Sequence, residues 1–263
     1  MGNRNLDEAR RYHEVTKHSY QSVRRSDHYL DWDNQPSVYK VYPGLAPIPL
    51  PRDFAQPGAD TLQAVGSPEC NEEKAPGLKE LSQILFFSAG LTKKKSYSGG
   101  GEYHFRAAAC AGALYPIEIY IVSTDIPGLE AGIYHFNPED FALRRLRSGD
   151  YRSELAGAAG DNQAIAAAPV TLVLSAIFWR SAWKYQARCY RYCFWDSGTI
   201  LGNLLAVTAS EQLACSLEMG FVDSKVNHLL GLDGEREGFR QTLWKELRQA
   251  SWISTLLLMT LKG

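Results

Sequence analysis

The sequence predicts an α+β fold, and three observations predict it. Val170 to Phe178 is a near-continuous apolar run, as a strand covered on both faces requires. Gly132 to Phe136 and Ala142 to Leu146 flank Asn137-Pro138-Glu139-Asp140, the pattern of a hairpin. Trp195 to Gln212 is a long apolar stretch that suits a central helix. Strands and helices in one chain, with a long buried helix, place it in the mixed class.

The remaining elements follow from local pattern. Leu6 to Arg25 is polar and helix-compatible, ending in Arg24-Arg25. Eight of the twelve prolines lie between Pro36 and Pro76. Proline lacks the amide donor and restricts its predecessor, so Tyr29 to Pro76 is neither helix nor central strand. Its aromatics, Tyr29, Trp32, Tyr39, Tyr42 and Phe54, mark it as chain packed on a surface, since a free linker is poor in such residues. Leu78 to Gly90 has apolar residues at 78, 81, 84, 85 and 87 before the glycine stop, an amphipathic helix. Thr92 to Glu102 reads as a loop, Ile117 to Ser123 as a β-branched strand and Tyr151 to Ala159 as a short helix. The end of the chain reads as a helix with Phe239, Leu243, Trp244 and Leu247 on one side, then a Leu-rich run at 256–258. One domain results: an N-terminal helix and arm at 1–77, a core at 78–237 and a tail at 238–263.

Composition narrows the class. The chain has 263 residues, 45% hydrophobic and 22% charged, which is globular and enough for a core without metal or disulfide staples. A net charge of -1 argues against a general nucleic-acid binder. Cys70, Cys110, Cys189, Cys193 and Cys215 form no CxxC pair and leave an odd count, so a reducing cytoplasm is expected rather than a disulfide framework. The polar start is not a signal peptide, and Ala164 to Phe178 is too short to span a bilayer and contains Pro169. The six histidines make no HxH or HExxH pattern, so no metal site is expected.

Two segments can carry chemistry. Arg106-Ala-Ala-Ala-Cys-Ala-Gly-Ala-Leu-Tyr-Pro-Ile-Glu118 holds a run of small residues before a strand. Small side chains let a flat ligand approach the backbone, Gly112 permits geometries closed to others, and Arg106 offers a planar fork to an anion. The plainer reading is an ordinary tight turn in the core with an exposed arginine. Cys110 alone reads as a small buried residue, with no paired base visible. In Phe178 to Asp196, the cations Arg180, Lys184, Arg188 and Arg191 recur at spacings of four, four and three, which on one helix share a face. A solvated basic face is the ordinary reading of such a stripe; an anion site with aromatic walls is the functional one. Lys184-Tyr185 offers two proton-transfer groups.

These segments, with Tyr12 to Ser19, Leu30 to Pro36, Leu78 to Gly90 and Gly132 to Pro138, resemble the SagB-type dehydrogenase branch of the nitroreductase family. The matching words cover most of residues 10–235. The resemblance implies a nitroreductase-like fold: a mostly antiparallel central sheet surrounded by helices, of an obligate-dimer type that binds FMN at the subunit interface. It implies an FMN-dependent oxidoreductase that oxidises azolines to azoles in a modified peptide, with a peptide substrate or a modifying enzyme as partner. Lys184 and Tyr185 would be catalytic, and Arg106, Cys110, Ala111, Gly112, Ala113, Leu114, Arg188 and Arg191 would bind the cofactor. Where the family usually reads Pro-Ser and Asp-x-Gly-His, this chain has Ala109-Cys110 and Asp196-Ser-Gly-Thr199, and an Arg-Arg-Ser word is missing before Leu78. Two alternatives therefore stand beside it: a non-catalytic flavin-fold module that dimerises or docks on a peptide, and an NAD(P)H-dependent nitro or quinone reductase.

Overall fold

The computed structural model describes residues 6–54, 59–66, 74–97, 101–232 and 255–262. At its centre is a seven-stranded sheet in which every pairing is antiparallel. Its strands are β1 (Pro47–Pro49), β4 (Ile117–Ser123), β5 (Gly132–Asn137), β6 (Ala142–Ser148), β7 (Val170–Ala176), β8 (Cys215–Glu218) and β9 (Thr255–Leu261), in the order β1-β6-β5-β4-β7-β9-β8. A separate two-stranded ribbon joins β2 (Leu91–Ser96) to β3 (Glu102–Arg106).

The near-continuous apolar runs are explained by layers on both faces. Along β4, Ile117, Ile119 and Ile121 enter one core and Tyr120 and Val122 the other. The first core is closed by α4 (Leu78–Ala89) and the long α8 (Cys189–Ser210); the second by α5 (Arg152–Ala158), α6 (Gln163–Ala167) and α9 (Asp223–Leu230). The chain also forms α1 (Leu6–Thr16), α2 (Tyr20–Arg24), α3 (Thr61–Gly66) and α7 (Phe178–Tyr185). No helix among the described residues is long and apolar enough to cross a membrane.

The aromatic arm is docked. Trp183 Nε1 donates to Asp31 O at 2.7 Å, Trp32 packs edge-on to Trp183, and β1 adds the edge strand beside β6. An edge is where Pro47 and Pro49 fit, because a proline there withholds no ladder bond from a second neighbour.

Four local expectations change. The N-terminal helix breaks at residues 17–19, where Ser19 caps α2. Residues 92–102 contain a lysine-rich hairpin rather than only a loop, its polar composition having hidden the strands. The Leu-rich run at 256–258 lies in β9, between β7 and β8, and is part of the sheet rather than of an atypical tail. The helix expected at 238–250 lies outside the described residues. Finally, 180–191 is not one helix: α7 ends at Tyr185, Gln186 takes φ 48° and α8 starts at Cys189. The four cations therefore do not share a helix face.

Candidate functional site

The site is built on the turn between β3 and β4. Gly112, Ala113 and Tyr115 adopt φ of 66°, 54° and 47°. Left-handed backbone costs a non-glycine residue about 1–3 kcal/mol and persists where the surroundings over-determine it. Tyr115 shows how. Its N–H donates to Cys110 Sγ at 3.0 Å, its hydroxyl donates to His104 O and accepts from Arg106 N, and its carbonyl accepts from Arg180 Nη1 at 2.9 Å.

Across the turn stands Asp196, buried on α8. It accepts from Ala111 N and from Cys110 Sγ, each at 3.1 Å. Burial, then the neighbouring Asp196, pushes the Cys110 thiol up to about 12, so it stays a protonated, small, polarizable side chain and not a nucleophile. Burial also raises Asp196, outweighing the hydrogen bonds it accepts. Thr199 donates to Ala109 O at 2.8 Å, a link from α8 to the turn. A small open cleft lies here, lined by Arg106, Ala109, Cys110, Tyr115, Asp196 and Ile200 among others.

Lys184 and Tyr185 reach the turn from the end of α7. A Cβ added to Gly112 would lie 2.6 Å from Tyr185 Oη and 3.2 Å from Lys184 Nζ. The two segments singled out in the sequence thus meet at Gly112. The Tyr185 ring packs on Tyr192 with centroids 4.5 Å apart, and burial, then Tyr192, raises its hydroxyl, which stays protonated at neutral pH. Gly112→Ala has to move Tyr185 and places a side chain at a left-handed φ, so it is expected to cost about 1–2 kcal/mol, or roughly 2–8 °C in Tm. Differential scanning calorimetry checks this.

The arginines divide. Arg106 lies between the rings of Tyr39 and Tyr115, donates from Nη2 to Val38 O at 2.6 Å and keeps a buried Nε without a partner. Arg180 is buried with Glu118 and donates to the arm at Ser37 O. Arg188 and Arg191 face the N-terminal helix: Arg188 Nη1 donates to Thr16 O, and Arg191 donates to Thr16 Oγ1 and His13 O. Among the described residues no carboxylate pairs with Lys184, Arg188 or Arg191, whereas Arg180 has Glu118. Sequence spacing missed Asp196 as the partner of the turn and the buried trio Glu118, His135 and Arg180, since these contacts join residues 17 to 86 positions apart.

Comparison with known proteins agrees with this architecture. A model described as the nitroreductase family matches residues 73–239. A Methanocaldococcus jannaschii protein described as a nitroreductase is 32% identical over 153 residues, 58% of this chain and 73% of that one. The microcin B17-processing protein McbC of Escherichia coli is 32% identical over 130 residues, covering 46% of this chain and 47% of its own. The crystal structure of a protein described as a nitroreductase from Anabaena variabilis superposes with a TM-score of 0.73 at 28% identity, over 96% of this chain and 45% of that chain. The chain thus spans about half the length of these last two relatives. With the fold, the matched span and the relatives in agreement, the chain belongs to the nitroreductase family.

Proposed function

We propose that the chain is an FMN-dependent oxidoreductase acting as a homodimer, and that its substrate is an azoline in a modified peptide. The observation that carries the reading is the meeting of Lys184 Nζ and Tyr185 Oη over the exposed, left-handed Gly112. The residues present fit a flat group with an anionic end. Ala109 and Gly112 expose small-residue backbone, Arg106 holds an unpartnered buried Nε, and Lys184, Arg188 and Arg191 lack countercharge among the described residues. Cys110 to Leu114 and Arg106 would hold the ring, and Arg188 and Arg191 the phosphate side. FMN, when bound, supplies a ring that takes up or returns a hydride.

The protein's own part is proton handling and placement. Turning an azoline into an azole removes two electrons and two hydrogens from the heterocycle, one of which leaves as a proton. In this reading Lys184, as the neutral amine, takes that proton at Nζ, and Tyr185 Oη, kept protonated, donates a hydrogen bond to the heteroatom that gains charge; their nearness to Gly112 supports it. A peptide substrate is supported by the name of the McbC relative, a microcin-processing protein.

The dimer reading rests on α8. Its inner face builds a core, while Phe194, Trp195 and Leu205 are exposed at 39%, 54% and 39%. Between them Gly198 and Gly202 face open space, four residues apart, so a second helix can approach closely. Gly202→Arg is expected to turn a sedimenting dimer into a monomer and to release flavin; a variant that stays dimeric removes α8 from the interface. The cofactor reading is tested by the absorption spectrum of the purified protein. A flavin band supports it. Colourless protein that takes up no added FMN overturns it and favours the docking-module alternative. Turnover of nitroarenes or quinones with NAD(P)H, without azoline oxidation, favours the reductase alternative.

A further inference from the structure

The β2–β3 ribbon has two unlike faces. Residues directly opposite in an antiparallel pair share a face. Lys94 opposite His104 and Ser96 opposite Glu102 therefore share one face with the arm, where Tyr39 Oη bonds His104 Nδ1 at 2.5 Å and Lys94 pairs with Glu102 at 3.5 Å. On the other face Lys93 stands opposite Phe105 and Lys95 opposite Tyr103, with Tyr97 next in line. Phe105, Tyr103 and Tyr97 are 39%, 56% and 47% exposed, and all three lysines of the strand are exposed. Tyr97 and Tyr103 meet edge to face at 5.3 Å, and Lys95 Nζ sits 4.5 Å from the Tyr97 ring centroid. Among the described residues neither Lys93 nor Lys95 has a carboxylate partner, and β2 has no strand on its outer side.

Lysines on an edge strand ordinarily deter unwanted strand pairing. That role needs charge alone. It does not call for three aromatic side chains exposed on the same face, which a monomer tends to cover. Charge and aromatics together turn a repelling edge into a selective one, because only a strand of opposite charge can then pair. We propose that this edge and face dock an extended, acidic peptide segment of a partner. The segment adds as a third strand beside β2, places carboxylates two residues apart on Lys93 and Lys95, and lays apolar side chains near Tyr97 and Tyr103. Main-chain bonds along the edge give affinity and the alternating side chains give specificity. A second copy of the ribbon is disfavoured because it sets lysine against lysine. A nucleic acid is disfavoured because the face offers two unpaired cations on a chain of net charge -1. The proposal stands apart from the flavin reading, since binding is measured without turnover.

The test is fluorescence anisotropy with a short labelled Thr-Glu-Thr-Glu-Thr-Val-Thr peptide, whose two Glu and one Val share a face, at low and moderate salt. Binding is expected to weaken with salt and to fall roughly tenfold in Lys93→Glu/Lys95→Glu, as loss of two charge contacts and their reversal imply. The same peptide with Gln for Glu is expected to bind about tenfold more weakly. Tyr97→Ala/Tyr103→Ala tests the aromatic half in the same way. These positions are exposed, and far-UV circular dichroism of each variant shows that the fold is kept. Equal binding of the Gln peptide, unaltered binding by the lysine variant, or no binding at all overturns the proposal. So does tighter binding of oligo-dT than of the peptide, or self-association in the ultracentrifuge that the lysine variant abolishes.

Discussion

Lys184→Ala is expected to lower turnover of the flavin-loaded protein by about 10²–10⁴-fold, the contribution of a positioned proton-transfer group. The lysine comes from the last turn of α7, and its Nζ stands beside Gly112 with no ion-pair partner among the described residues. Because among the described residues that Nζ makes no hydrogen bond or ion pair, only a cation–π contact with the Tyr185 ring at 5.5 Å, the variant is expected to keep its fold and its flavin band. Tyr185→Phe keeps the ring on Tyr192 and removes only the hydroxyl, so a smaller loss is expected, in kcat more than in KM. Single-turnover kinetics, followed with the visible spectrum, separates the cases. Unchanged turnover removes Lys184 from the reaction. Turnover lost together with bound flavin makes it a binding residue instead.

How much of this was legible in the sequence depends on the range of each contact. The strand 117–123 and the helix from Leu78 are set by neighbours a few residues away, and their boundaries in the structure match the periodicity closely. The Lys-Tyr pair and the small-residue turn were legible as separate words, but their meeting at Gly112 joins positions more than 70 residues apart. The cation stripe misled because the i, i+4 rule assumes an unbroken helix, and Gln186 breaks it at a left-handed φ. That break sends Arg180 inward to Glu118 and leaves Arg188 and Arg191 to the N-terminal helix. The ribbon β2–β3 was hidden by its lysines, and β9 by distance, since its partners β7 and β8 are far back along the chain.

Glu118→Ala is expected to destabilise the protein by about 3–5 kcal/mol, or roughly 6–20 °C in Tm, because it leaves a buried guanidinium uncompensated. Glu118, His135 and Arg180 are 3%, 0% and 2% exposed. Arg180 donates to Glu118 Oε1, to Tyr115 O and to Ser37 O, so one side chain ties β4, the site turn and the arm to α7. His135 Nε2 donates to Glu118 Oε2 at 2.6 Å, which leaves its Nδ1 buried and unpartnered. Burial alone would raise Glu118, but the Arg180 charge and the His135 hydrogen bond outweigh it and hold the carboxyl at about 2, below the ordinary 4.5. A depressed carboxylate stabilises the fold above its unfolded pKa and loses that contribution as pH falls toward the folded one. The advantage of the wild type over Glu118→Gln is therefore expected to be constant near neutrality and to shrink between about pH 4.5 and about pH 2. Urea melts of both proteins across this range measure the difference directly, and carboxyls common to both cancel. A difference that stays flat to pH 2 would show that the charge on Glu118 does not hold the trio. Since Arg180 also bonds the carbonyl of left-handed Tyr115, loosening the trio is expected to loosen the site turn before the sheet unfolds.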